Sequence, residues 1–387
     1  MSDIATALGE PIDPKPSPLE TGRRDLAVAG QWTLFWLKFR RHKLAVVSLV
    51  VVALLYLVAL LAEFIAPFDP NAANARYTYA PPQGIGLFLP DGEGTRFAPH
   101  AAGLKMEIDR VAMRRVFQAD PENPVRVGFF VPSVPYKLAG LVPMQRKLIG
   151  SLEPGKPFYL LGADRLGRDI FSRVVYGARI SLSIGLVGVA MSLVLGVVLG
   201  GISGYYGGAI DTAIQRVIEF LRSVPTIPLW MGLAAAVPLN WPPVRTYFMI
   251  TLIISLIGWT SLAREVRGRF LSLRTEDFVL AARLDGASEA RVILRHMVPS
   301  FASHIISVMT LAIPTMILAE TSLSFLGIGL QPPIVSWGVL LQEAQNIRAV
   351  SQAPWLLFVP GGAVVIAVLA LNFLGDGLRD AADPYSR

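Results

Sequence analysis

The chain has 387 residues, no cysteine, 16% charged residues and a mean hydropathy of +0.52. Soluble domains carry roughly 25% charged residues, so this deficit, with long uncharged apolar runs, places the chain in the membrane class. A formal charge of +7 is no argument for nucleic acid, because membrane proteins gather Lys and Arg in cytoplasmic loops; the missing cysteines exclude disulfides, thiolate metal sites and a cysteine nucleophile.

Residues 1–30, rich in Pro, Asp, Glu and small side chains, read as a disordered cytoplasmic leader. The aromatic and basic stretch Trp32 to Lys43 suits a helix lying at the cytoplasmic interface. An apolar run over 44–66 has the length of a membrane crossing and reads as a retained first span, so 31–66 is one unit. Residues 67–179 are too many for a plain connector. They begin with Pro81-Pro82-Gln83-Gly84, continue through a periodic stretch at 104–117, and alternate at Val125–Val131 as a strand does. This predicts an extracytoplasmic subdomain with some β structure.

Five further apolar segments are placed at 180–201, 218–239, 247–262, 302–323 and 355–374, within a helical core spanning 180–387. Glu219, Arg222, Pro225 and Pro228 interrupt the second of them, which implies a bundle in which neighbours satisfy the freed carbonyls. Gly185, Gly188, Gly196, Gly200 and Gly201 let backbones approach closely. The basic side chains of the leader and of 264–295 belong in the cytoplasm, whereas the short loops opposite show only Arg245 and Arg348. The expected fold is therefore an all-α polytopic membrane protein with six transmembrane helices and both termini cytoplasmic.

The connection at 264–299 is the most informative stretch. Thr275 is a good N-cap, Glu276 and Asp277 complement a helix dipole, and Gly286 sits where a left-handed residue ends a helix. Ser288 can cap a second helix, which Pro299 stops. Phe278, Ala281 and Ala282, at i, i+3 and i+4, form a narrow face that fits a groove on a soluble partner.

Ala281-Ala282, then Gly286, then Pro299 resembles the EAA loop of permease subunits of binding-protein-dependent ABC importers. The family's Glu is Leu280 here, and its later Ile and Leu positions are His296 and Val298; these variants resemble the peptide-importer branch. An ordered set of segments carries the likeness over 40–70 and 160–387. It includes Phe39-Arg40-Arg41-His42-Lys43 to Asp69-Pro70, Leu161 to Arg179, Gly204-Tyr205-Tyr206-Gly207-Gly208 with Asp211, Leu323 to Gly338, and Asn372 to Asp380 with Asp383-Pro384. The resemblance, to the C-type branch of oligopeptide and dipeptide permeases, implies a coupling helix that docks on an ATPase subunit. It implies as partners a second homologous permease, two cytoplasmic ABC ATPases and an extracytoplasmic solute-binding protein, besides membrane lipid. Solutes would be peptides, or oligosaccharides or metal chelates as in related permeases, crossing the bacterial inner membrane.

Each motif also has a plainer reading. Gly286 terminates a helix in any case, and Arg264, Arg267 and Arg269 serve as topology signals. Glu320, in the fifth span, is a candidate for the translocation path because an intramembrane carboxylate is costly unless paired or wet; the plainer reading is a structural ion pair or an interfacial residue. Glu63 reads as solvated, and 162–179 as an interfacial turn. No GxxxxGK[ST] loop, HExxH or GxSxG occurs, and the four histidines (42, 100, 296 and 304) lack metal-ligand spacing. The chain is expected to hold no cofactor or metal of its own and to do no catalysis, ATP and Mg being bound by the ATPase partners. A stand-alone secondary transporter would need paired intramembrane charges along a pathway, a membrane-embedded enzyme a convergent Ser, His and acid set, and a receptor an outer loop that works without ATPases.

Overall fold

The structure, a computed structural model, describes residues 31–91, 94–110, 114–153, 155–238 and 240–382. The leader 1–30 and Asp383-Pro384 of the tail motif lie outside the described residues. The chain begins with α1 (Gln31–Arg41) and, after a break at His42, continues as α2 (Lys43–Leu60). The His42 imidazole accepts the Ala45 N–H at 3.1 Å and so caps α2. Eighteen helical residues reach roughly 27 Å, close to the thickness of a hydrocarbon layer. A short α3 (Ala62–Ile65) follows.

A four-stranded antiparallel meander comes next, β1 (Ile85–Asp91), β2 (Gly94–Asp109), β3 (Arg114–Leu138) and β4 (Val142–Ser151), paired in sequence order. The strand expected at Val125–Val131 is part of β3. Within the periodic stretch at 104–117, residues 104–109 and 114–117 are not helical: they form the facing ends of β2 and β3, with Met106 opposite Phe117. Ala101, Val125, Val127 and Phe158 make a small core under the sheet.

Among the described residues, five helices are long and apolar enough to cross a membrane: α2, α4 (Ile170–Tyr206), α7 (Pro243–Leu273), α9 (Ala302–Phe325) and α12 (Trp355–Ala382). Between α4 and α7 lie α5 (Gly208–Ser223) and α6 (Thr226–Ala235), and α8 (Asp277–Leu284) follows α7. Between α9 and α12 lie α10 (Trp337–Glu343) and α11 (Ile347–Gln352). The segment expected as one span over 218–239 is thus two shorter helices. Val224 is extended and Pro225 precedes α6, as expected where a proline ring disfavours the helical conformation of the residue before it. The span expected at 180–201 begins at Ile170 instead, because Asp169 caps it.

Small residues bring α4 and α7 together. A Cβ at Gly200 would collide with the Ala263 backbone, and one at Gly204 would meet the Arg267 carbonyl, so neither position admits a larger side chain. The core between the spans divides into an α2–α4–α12 cluster around Phe39, Trp337 and Leu371 and an α4–α7–α9 cluster around Ile254 and Leu323.

Candidate functional site: an anchored elbow beyond the spans

The stretch between α7 and α9 forms the predicted elbow, with different capping. Thr275 is not the N-cap of α8. Its hydroxyl donates back to the Ser272 carbonyl at 3.1 Å, and extended Glu276 occupies the cap position without a side-chain bond. Gly286 has φ +76°, and the Asp285 and Ala287 N–H groups donate to the Ala281 and Ala282 carbonyls, closing α8 as a left-handed terminator should. Ser288 stands at the start of the second helix, yet its hydroxyl caps nothing. That helix runs from Glu289 to Ser300 through a π-helical segment, Val292–Met297. Pro299 therefore lies inside its last turn and does not stop it. The widened π turn, with the Val298 N–H bonded to the Ile293 carbonyl, accommodates the proline ring, which would strain an ordinary α turn.

The elbow has two faces. Val279 (0% exposed) and Ala282 (8%) point inward, joining Val292 and Met297 against Val266 and Phe270 of α7 and Phe301 and Ile305 near the start of α9. Ala282 is therefore not part of an outward face with Phe278 and Ala281, because Val279 and Ala282 are themselves i and i+3 and share the buried side. Outward lie Ala281, Phe278 (42% exposed), Leu280 (43%) and Leu284 (88%). Two contacts tie the elbow to the end of α4: the Arg283 guanidinium lies 4.9 Å from the Tyr205 ring centre, and the Tyr206 hydroxyl donates to Glu289 at 2.7 Å. Beside them Arg267 grips Asp211, joining α7 to the start of α5. A displaced α8 would pull on the ends of α4, α7 and α9 together.

A second polar cluster, missed in the sequence, sits before and within the start of α4. Asp164 accepts from Arg168 Nε at 2.6 Å and from Arg173 in a short ion pair; Glu343 of α10 accepts from Arg168 at 2.8 Å and from Arg173 at 3.2 Å. Asp164 and Arg173 are buried, so the segment read as an interfacial turn is an interior ionic lock. The spacing of Asp164 and Arg168, i and i+4, was a local signal, but Glu343 is too remote in sequence to be found that way. Next to this lock Asp169 caps α4 through the Ser172 N–H and hydroxyl at 2.8 and 2.7 Å, and burial pushes its carboxyl up to about 6. Glu63 is not solvated as expected: Arg179 holds it with two bonds, at 2.5 and 2.7 Å.

Glu320 is fully buried and makes no ion pair among the described residues. Its carboxyl accepts from Ser324 at 2.8 Å, Ser336 at 2.7 Å and Ser181 at 3.3 Å, and Ser181 in turn accepts the Trp337 N–H. It fastens α9 to α4 and to the start of α10. Between α4, α7 and α9 a cleft of about 610 Å³ is lined by Ser192, Ser261, Glu265, His304 and Thr315 among apolar walls.

Residues 196–387 match the family described as binding-protein-dependent transport system inner membrane component, and residues 30–82 match the N-terminal TM domain of oligopeptide transport permease C. The chain is 38% identical over 240 residues to the oligopeptide transport system permease protein OppC of Bacillus subtilis (strain 168), covering 62% of this chain and 76% of that one. It is 31% identical over 350 residues to the dipeptide transport system permease protein DppC of Haemophilus influenzae, covering 90% and 93%. An inward-facing structure of the MetNI methionine ABC transporter aligns with 55% of this chain and 98% of its own, at 18% identity and a TM-score of 0.43.

Spans of this length around an anchored elbow make the chain a multi-pass permease of the bacterial inner membrane. It belongs to the binding-protein-dependent transport system inner membrane component family, as a permease subunit of an ABC importer of the C-type branch.

Proposed function

We propose that the chain pairs with a second, homologous permease to form the path by which oligopeptides or dipeptides enter the cytoplasm. An extracytoplasmic binding protein delivers the solute, and two cytoplasmic ATPase subunits, which hold the ATP and Mg, drive the cycle. Support for a peptide solute comes from the relatives' names, OppC and DppC. Both termini lie in the cytoplasm, and the bent α5–α6 element is the sixth crossing. The sheet 85–151 then stands outside the membrane on the far side from the elbow, in agreement with the excess of Arg in 264–295.

One observation carries the coupling role: α8 exposes Phe278, Leu280 and Leu284 while its opposite side is locked into the ends of the spans. An apolar helix face left in water is costly, and a groove on a soluble partner covers it. Closure of the ATPase pair moves α8, and the elbow hands that movement to α4, α7 and α9, so that the spans rock between outward-open and inward-open forms. In this account Glu320 is a fastener between helices and does not meet the solute. Gly286→Val tests the reading. No atom lies within 4 Å of a Cβ built there, so its effect is conformational, about 1–2 kcal/mol for a β-branched residue at positive φ. Loss of solute-stimulated ATPase activity is expected, and wild-type transport would oppose the coupling role.

A further inference from the structure

The turn between β3 and β4 has a composition unsuited to water. Hairpin tips exposed to solvent are built from Gly, Asn, Asp and Ser. Here Leu138-Ala139-Gly140-Leu141-Val142-Pro143-Met144 is apolar throughout, and Leu141 is 83% exposed. Val134, Phe130 and Val142 extend the same exposed apolar surface along the two strands. Tyr136 and Lys137 flank the tip on one side, and Gln145, Arg146 and Lys147 on the other.

The hairpin is fixed beside the end of the first span. The Ala139 N–H donates to Glu63 at 3.4 Å, the Phe130 and Phe64 rings are 6.0 Å apart, and Lys147 donates to the Ala66 carbonyl at 2.8 Å. Glu63 lies just past the end of α2, whose Leu54, Leu57 and Leu60 are exposed on a crossing helix and therefore face lipid. The hairpin therefore stands beside the end of that stripe.

We propose that the 138–144 tip is a membrane anchor, dipping into the leaflet at the Glu63 end of the first span. Leu141, Val142 and Val134 enter the boundary between headgroups and acyl chains. Lys137 and Arg146 snorkel back to lipid phosphates, and Tyr136 sits at headgroup level. The sheet is thereby held against the bilayer at two points, the α3 contact and the tip. This inference rests on the membrane-spanning assignment and not on the solute or the coupling role.

The chain has no cysteine, so single nitroxide labels can be introduced without background. Full-length Leu141→Cys and, independently, Val142→Cys are labelled, reconstituted in lipid nanodiscs and scored for access to oxygen and to a water-soluble nickel chelate. Leu57→Cys supplies the lipid reference and Glu122→Cys, on the exposed polar bend of β3, the water reference. Both tip labels are expected to favour oxygen over the chelate, as Leu57 does, by several-fold relative to Glu122. Tip labels as open to the chelate as Glu122 would overturn the proposal, and so would labels shielded from both agents, which would mean that protein covers the tip.

Discussion

The Arg267 guanidinium donates two parallel hydrogen bonds to the Asp211 carboxylate, Nε to Oδ1 at 2.5 Å and NH2 to Oδ2 at 2.6 Å, across the gap between α7 and α5. Ser203 of α4 also donates to Asp211, so one carboxylate gathers three helices at the level of the elbow. Fork-to-fork geometry fixes orientation as well as distance. Because the pair is partly exposed, solvent screens it, and Asp211→Asn should cost only about 1 kcal/mol of stability. Its effect on coupling should be larger than its effect on the amount of folded protein. Basal and solute-stimulated ATPase rates of the assembled importer separate the two; equal losses in expression and coupling would count against a positioning role.

The Asp164–Arg168–Arg173–Glu343 lock should behave differently. Asp164→Asn leaves two buried guanidiniums to share one carboxylate. Breaking a buried pair in this way costs about 3–5 kcal/mol. The expected outcome is a steep fall in the thermal midpoint of the detergent-solubilised protein, measured by fluorescence-detected gel filtration.

Glu320 gives a sharper contrast. Glu320→Gln keeps an acceptor for the serine hydroxyls, which can rotate to meet the new amide, so a change under about 1 kcal/mol is expected. Glu320→Leu strands three hydroxyls in the interior and should cost about 1–3 kcal/mol. Solute uptake by the Gln variant should match wild type. A transport defect in a fully stable Gln variant would show that the charge itself is used.

Burial raises the Asp169 carboxyl to about 6, above its ordinary value. A raised carboxylate binds its proton more tightly in the folded state, so it lowers stability above pH 6 and does so progressively less as pH falls from 6 towards 4. Oδ1 has no hydrogen-bond partner, which leaves that oxygen without support for a charge. Asp169→Asn, still a good N-cap, should abolish this pH dependence and be neutral or stabilising at pH 7.5. Asp169→Ala should lose about 1 kcal/mol of capping. Thermal midpoints of the three proteins between pH 5 and pH 8, roughly the window in which buried carboxyls of this kind titrate, check the sign.

Much of this architecture was legible in the sequence. Segment 302–323 lies wholly within Ala302–Phe325, and Gly286 has the positive φ its place after an apolar helix required. Misreadings came from competition between local signals and tertiary packing. Hydropathy reads 218–239 as one segment, but Pro225 breaks it, and the charged half is amphipathic instead of uniformly apolar. At Thr275 the backbone carbonyl of Ser272 won the hydroxyl that capping preferences assign to the helix. Glu320 was recognisable as costly, whereas its partners Ser181 and Ser336 come from distant segments, and serines carry no sequence mark of such service. The ionic lock was hidden for the same reason, since Glu343 lies 175 residues after Arg168.

The central claim is that the outward face of α8 is gripped by an ATPase subunit. The direct test is Phe278→Cys in this cysteine-free chain, treated with a short bifunctional thiol reagent in the assembled importer. The account predicts a cross-link from position 278 to the ATPase subunit and none from a Glu122→Cys control. A Phe278→Cys thiol that reacts freely with water-soluble reagents in the intact complex, and captures no ATPase subunit, would contradict it.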